Sequence, residues 1–205
     1  MAKSLSHSFA GKSAFLMGIS IFISRVTGLA RELFIAYIFG VSASSDAVNV
    51  AFKVPILFRK IFGEGALSPA FVPIYSKKLT ANKIGAAIFA SNIFIILLIS
   101  MSALVITLIF LMPYIIYLIA PGFYNDYSKL ELTITLCRIT IIYLIFISTG
   151  ALFGSMLNSI SKYAVFALAP VILNCSLIIF TNLFSNFISP AISIAYSIVI
   201  GGLFQ

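Results

Sequence analysis

The sequence has no tryptophan, one histidine, two cysteines and only five acidic residues, and charged residues make up 9% of it. Each scarcity excludes something. A soluble domain carries nearer a quarter charged residues, so the chain is not built to face water on all sides. The lone His7 and the cysteines at 137 and 175 have no metal spacing; both cysteines lie inside apolar runs and are expected as small packing residues. No Ser/His/Asp set, CxxC or phosphate-binding glycine loop occurs, so nothing marks an enzyme or calls for a cofactor. The net charge of +8 raises nucleic acid as a partner, but the lysines and arginines are scattered between apolar runs. They suit topology signals rather than a basic binding face.

What fills the chain instead is hydrocarbon: 61% of residues are hydrophobic and mean hydropathy is +1.16. The apolar runs are long and continuous, as spanning helices require, rather than the short alternating segments of a barrel. The composition therefore predicts an all-α integral membrane protein of about six transmembrane helices, forming a single transmembrane region over residues 1–205. The first apolar run, residues 13–24, has the length and basic flank of a signal-peptide core. No small-x-small cleavage site follows it, and Arg25 and a second apolar run come instead. One long first helix over residues 13–40 is expected, with Gly28 as a weak point. A small-residue turn, GVSASSD, follows, in which Ser44, Ser45 or Asp46 is placed to cap the second helix.

In that second helix Asp46, Asn49, Lys53, Lys60 and Glu64 fall on one stripe, and Val48, Val50, Phe52, Ile56 and Leu57 are expected on the other face. Pro55 should kink it, and GEGALSPAFVP should break it again. The pattern then predicts a loop over 75–83, a third helix over 84–119 tilted or broken at Pro113, and a loop over 120–129. A fourth helix over 130–158, a fifth over 163–185 and a sixth run from Ala191 complete it. With the N-terminus in the cytoplasm, Lys3, Lys12, Lys77, Lys78, Lys83 and Lys162 lie on that side and Lys129 opposite, a positive-inside bias.

Residues 24–73 hold Arg25, Arg31, Glu32, Asp46, Lys53, Arg59, Lys60 and Glu64 between apolar flanks. Charge is costly in a bilayer and normally faces a protein-lined or watery cavity. Arg25 reads as an anion-binding arginine in such a cavity and Lys53 as a functional or pairing residue. Arg31, Asp46, Arg59 and Arg138 stay open between interfacial, capping and functional roles.

The segments SRVTGLARE, FGVSASSDA, AFKVPILFRKIFGEGALSPAFVPIY and APGF strongly resemble the MurJ (MviN) family of lipid II flippases, with weaker similarity through LNSISKY, ALAPVILN and GGLFQ. The resemblance implies the N-terminal lobe of a multidrug/oligosaccharidyl-lipid/polysaccharide exporter-type fold whose C-terminal lobe is absent. It implies translocation of lipid II, an undecaprenyl-pyrophosphate-linked disaccharide peptide, across the bacterial cytoplasmic membrane by alternating access for cell-wall synthesis. The substrate-binding residues it implies are Arg25, Arg31, Arg59 and Asp46, joined by Lys53 from the stripe. Partners implied are lipid II, membrane lipids, and a separate C-terminal half or a second copy of the chain. The alternatives are a non-transporting membrane subunit or remnant, and a related oligosaccharide-lipid or drug exporter. The cationic set favours an anionic substrate over cationic drugs.

Overall fold

A computed structural model describes residues 2–58, 60, 67–160, 162 and 168–205, with side chains from residue 18 onward. The described residues form helices and no strand. In chain order the helices are α1 (Ala2–Phe39), α2 (Ala43–Phe58), α3 (Leu67–Ala81), α4 (Lys83–Ile119), a 3₁₀ turn (Pro121–Asn125), α5 (Tyr127–Thr140), α6 (Tyr143–Ser159), α7 (Ala169–Phe184) and α8 (Pro190–Phe204). Two stretches, Lys83–Ile119 and Tyr127–Ser159, are long and apolar enough to cross a membrane. Their outer faces keep Phe110 and Phe153 exposed, and Leu118 is 82% exposed, a surface suited to lipid tails rather than water.

Helix α1 starts earlier than the apolar run and passes Gly28 without a break. Gly40 ends it in the left-handed region (φ 54°), donating its N–H to the Ala36 carbonyl at 2.9 Å. A residue with no Cβ adopts that cap at least cost. The next helix is capped by Ser42, whose Oγ accepts from the Ser45 N–H at 3.2 Å, and not by Ser44, Ser45 or Asp46.

The inward face of α2 is Ala47, Val48, Ala51, Val54 and Pro55, packed on Leu136 and Thr140 of α5 and on Ala191, Ile194 and Ile198 of α8. Small residues here let backbones approach, which is how helices associate without a hydrophobic drive between them. Close approach lets Thr140 donate its hydroxyl across to the Ala51 carbonyl at 3.0 Å. Of the apolar face expected for α2, Val48 is buried, whereas Ile56 and Leu57 are exposed. Ile56 lies seven residues beyond Asn49, two helical turns, and so falls on the polar side.

The loop expected over 75–83 is helical to Ala81, and Asn82 alone turns the chain into α4. Its side chain accepts from the Ile84 N–H at 2.9 Å. The two helices fold back on each other, with Phe71 stacked on Phe89 at 5.6 Å and Lys78 over the Phe89 ring at 5.4 Å. Lys77 and Lys78 mark a solvated face of a helix there, not a loop. Helix α4 continues through Pro113 unbroken.

The single fourth helix expected is divided at residues 141–142. Ile142, Leu144 and Ile145 each donate to the carbonyl three residues back, at 3.0–3.3 Å, so the chain tightens locally and bends. The GEGA part of the break expected after α2, including Glu64, lies outside the described residues, while Pro69 and Pro73 sit within α3. Cys137 is buried as expected, but Cys175 faces outward, one helical step from the inward Asn174.

Asp126 caps α5. The Lys129 N–H at 3.1 Å and the Ser128 hydroxyl at 2.7 Å donate to its Oδ1 and hold its carboxyl below the ordinary value of 3.8. A depressed pKa means the cap contributes fully above the unfolded value and is lost as pH falls through the folded one. The protection of the Lys129 and Leu130 amides, taken against the intrinsic exchange rate at each pH, is therefore expected to fall below pH about 4. In Asp126→Ala that protection should be low at every pH, and a wild-type protection that does not change through that range refutes the cap.

Candidate functional site

Two adjoining cavities run along α2. The first, about 380 Å³, is lined by Arg31, Glu32 and Ile35 of α1 and by Ser45, Asn49, Phe52, Lys53 and Ile56 around α2. The second, about 260 Å³, lies among Ser24, Gly28 and Arg31 of α1, Phe52, Pro55 and Ile56 of α2, and Tyr143, Leu173 and Asn174. Arg31 stands between them and belongs to both walls.

Helix periodicity puts it there: Ser24, Thr27, Gly28 and Arg31 share one side of α1, the side that packs on α7. Arg31 Nη1 donates to Asn174 Oδ1 at 3.1 Å. Asn174 Nδ2 donates to Thr27 Oγ1 at 3.2 Å, and that hydroxyl donates to the Ser24 carbonyl at 3.0 Å. Nη2 donates to Glu32 Oε1 at 3.3 Å, and the guanidinium carbon lies 5.3 Å from the Phe52 ring centroid. The Nε–H is buried with no partner among the described residues. The Arg31 side chain is 22% exposed and that of Glu32 69%, so this ion pair is weak and easily exchanged. With Arg31 and Lys53 against Glu32, the first cavity carries excess positive charge.

The predicted site residues divide. Arg31 and Lys53 come together at the first cavity. Arg25 is exposed and lines neither cavity. Six residues separate it from Arg31, a rotation of about 120° around the helix. Asp46 sits in the first turn of α2, next to Ser45 but lining neither cavity, and Lys129 Nζ donates to its Oδ2 at 2.5 Å while lying 4.1 Å from the Phe123 ring centroid. That contact joins the two turns carrying FGVSASSDA and APGF. Arg59 lies outside the described residues. Arg138 is exposed and reaches across to α4, its Nε donating to the Ile109 carbonyl at 3.2 Å. Sequence reasoning missed Asn174; a lone amide in the apolar run ALAPVILN was the signal available.

Among the described residues the fold is helical, with two stretches long and apolar enough to cross a membrane and a cationic cavity between its helices. The family model described as "Lipid II flippase MurJ" matches residues 35–205, and the chain belongs to that family. It is 46% identical over 194 residues to a "Probable lipid II flippase MurJ" of Rickettsia prowazekii (strain Madrid E), covering 95% of this chain and 38% of that one. A relative of the same description from Buchnera aphidicola subsp. Baizongia pistaciae (strain Bp) is 39% identical over 202 residues, with the same coverage of each chain. Among solved structures it is similar to "Lipid II flippase MurJ, inward closed conformation", with TM-score 0.74 and 35% identity over 93% of this chain and 41% of that one. The chain thus spans about 38% of the length of these curated relatives.

Proposed function

We propose that the chain supplies one lobe of a lipid II flippase in the bacterial cytoplasmic membrane, with its N-terminus in the cytoplasm. In this reading α1, α2 with α3, α4, α5 with α6, α7 and α8 make six crossings of an exporter-type fold. The observation that carries the function is Arg31, a guanidinium between two cavities with Lys53 nearby and one exposed carboxylate to offset them. A pyrophosphate-linked headgroup is anionic and too polar to cross hydrocarbon unaided. Arginine replaces its lost hydration with paired, charge-assisted bonds.

The remaining wall of the path comes from a second lobe, in the same polypeptide, on another chain or from a second copy. Arg25, Arg59 and Asp46 remain candidates for substrate contacts there. In this scheme Arg25, which faces away from the first two cavities, turns toward that wall.

The test is a chimera in which residues 1–205 replace the matching part of the Rickettsia relative, expressed in a bacterium depleted of its own lipid II flippase. Growth and normal cell shape are expected. Lysis, with the chimera confirmed in the membrane, overturns the reading.

A further inference from the structure

Arg31 can only donate, so the amide oxygen of Asn174 must face it and the amide nitrogen must face away. The Thr27 hydroxyl is spent on the Ser24 carbonyl and offers Asn174 a lone pair, which fixes that orientation. Asn174 is 4% exposed, so it does not trade these bonds for water. It engages Nη1 alone. Among the described residues, the opposite edge of the guanidinium, Nε with Nη2, keeps a buried unpaired Nε–H and an Nη2 held only by the exposed Glu32. An unpaired buried donor is costly, and because Arg31 lines both cavities an acceptor that displaces the Glu32 carboxylate can come to this edge.

We propose that Asn174 is the positioning residue for Arg31. It clamps Nη1 so that the Nε/Nη2 edge stays free as a two-pronged donor for a pyrophosphate-type anion, whose oxygen displaces the Glu32 carboxylate. The inference rests on the proposed function for the anion, while the clamp stands on its own geometry. A neutral amide is the group this role requires. It orients the guanidinium without neutralising it, whereas a carboxylate in the same place would consume the charge.

The experiment uses the whole chain in detergent, with ¹⁵N-labelled arginine. Four arginines give four Nε signals, and loss in Arg31→Lys assigns that of Arg31. The probe is farnesyl pyrophosphate. In the wild type the Arg31 Nε signal should be sharp and should move on titration. Asn174→Ala should broaden it before any ligand is added. Asn174→Asp, nearly isosteric, should leave the melting temperature unchanged or higher while weakening farnesyl pyrophosphate binding about 30-fold or more.

A merely structural asparagine predicts the reverse, a lower melting temperature with binding unchanged, because aspartate cannot donate to the Thr27 hydroxyl as the asparagine amide does. A ligand-free Arg31 signal indifferent to Asn174→Ala, or wild-type binding in Asn174→Asp, overturns the positioning role. A wild-type signal that farnesyl pyrophosphate does not move overturns the anion reading instead, and the ligand-free spectra still judge the clamp. Should Asn174→Ala not fold, Asn174→Asp decides alone.

Discussion

Arg31→Gln is expected to abolish rescue by the chimera and to weaken binding of a pyrophosphate lipid by about 10- to 200-fold, the worth of hydrogen bonds to a charged group. Glutamine is the informative replacement because it keeps a neutral N–H donor on the same side of α1 while removing the charge. Alanine would strand the buried acceptor Asn174 Oδ1 at a cost of about 1–3 kcal/mol and confuse folding with function. With glutamine a polar group remains beside Asn174, and the charge and the fork disappear. Arg31→Lys separates those two: it keeps the charge, but an ammonium cannot hold Asn174 and present a second planar edge together. An intermediate loss is expected for lysine. Full rescue by lysine would mean that only net charge in the cavity matters, and full rescue by glutamine would remove Arg31 from the mechanism.

The contrast between Arg25 and Arg31 shows where sequence reasoning reaches and where it stops. Scarce charge in an apolar chain singled out both, because burying charge in hydrocarbon is expensive wherever it falls. Which of them lines the described cavities depends on helix phase, and the phase depends on which side of α1 meets α7. The apolar runs located α4, the start of α8 and the end of α7 to within a few residues, since an unbroken run has one low-energy form in a membrane, while the start expected at residue 163 lies outside the described residues. The helix over residues 75–81 was hidden because Lys77 and Lys78 resemble loop residues. The bend at 141–142 was hidden because no proline or glycine marks it. Asn174 was beyond reach for another reason: its partner Arg31 is 143 residues away in sequence, and only the packing of α7 on α1 joins them.

The same dependence on close packing makes Gly202 the position where one methyl group should do most damage. A Cβ there would lie 2.4 Å from Cδ2 and 2.9 Å from Cε2 of Tyr143, and 3.3 Å from Cβ of Phe146. The Tyr143 ring is 3% exposed, and its hydroxyl donates to Gln205 Oε1 at 3.0 Å, so it has little freedom to retreat. At the neighbouring Gly201 the nearest atom, at 2.8 Å, is Leu173 Cδ1, the tip of a flexible side chain, with Ser176 Cβ next at 3.2 Å. Alanine favours a helix over glycine by about 1 kcal/mol, but overpacking a tight interface costs about 1–3 kcal/mol. At Gly202 the second effect should win, and at Gly201 the two should nearly cancel. Gly202→Ala is therefore expected to lower the melting temperature in detergent clearly, and Gly201→Ala much less. Because Tyr143 also lines the cavity beneath Arg31, the displaced ring should weaken pyrophosphate-lipid binding as well. Adding Tyr143→Leu to Gly202→Ala makes room for the methyl group and should recover much of the lost stability, which no general dislike of alanine at that site would produce. A Gly202→Ala protein that melts with the wild type would show that α8 and the start of α6 are not in the contact described.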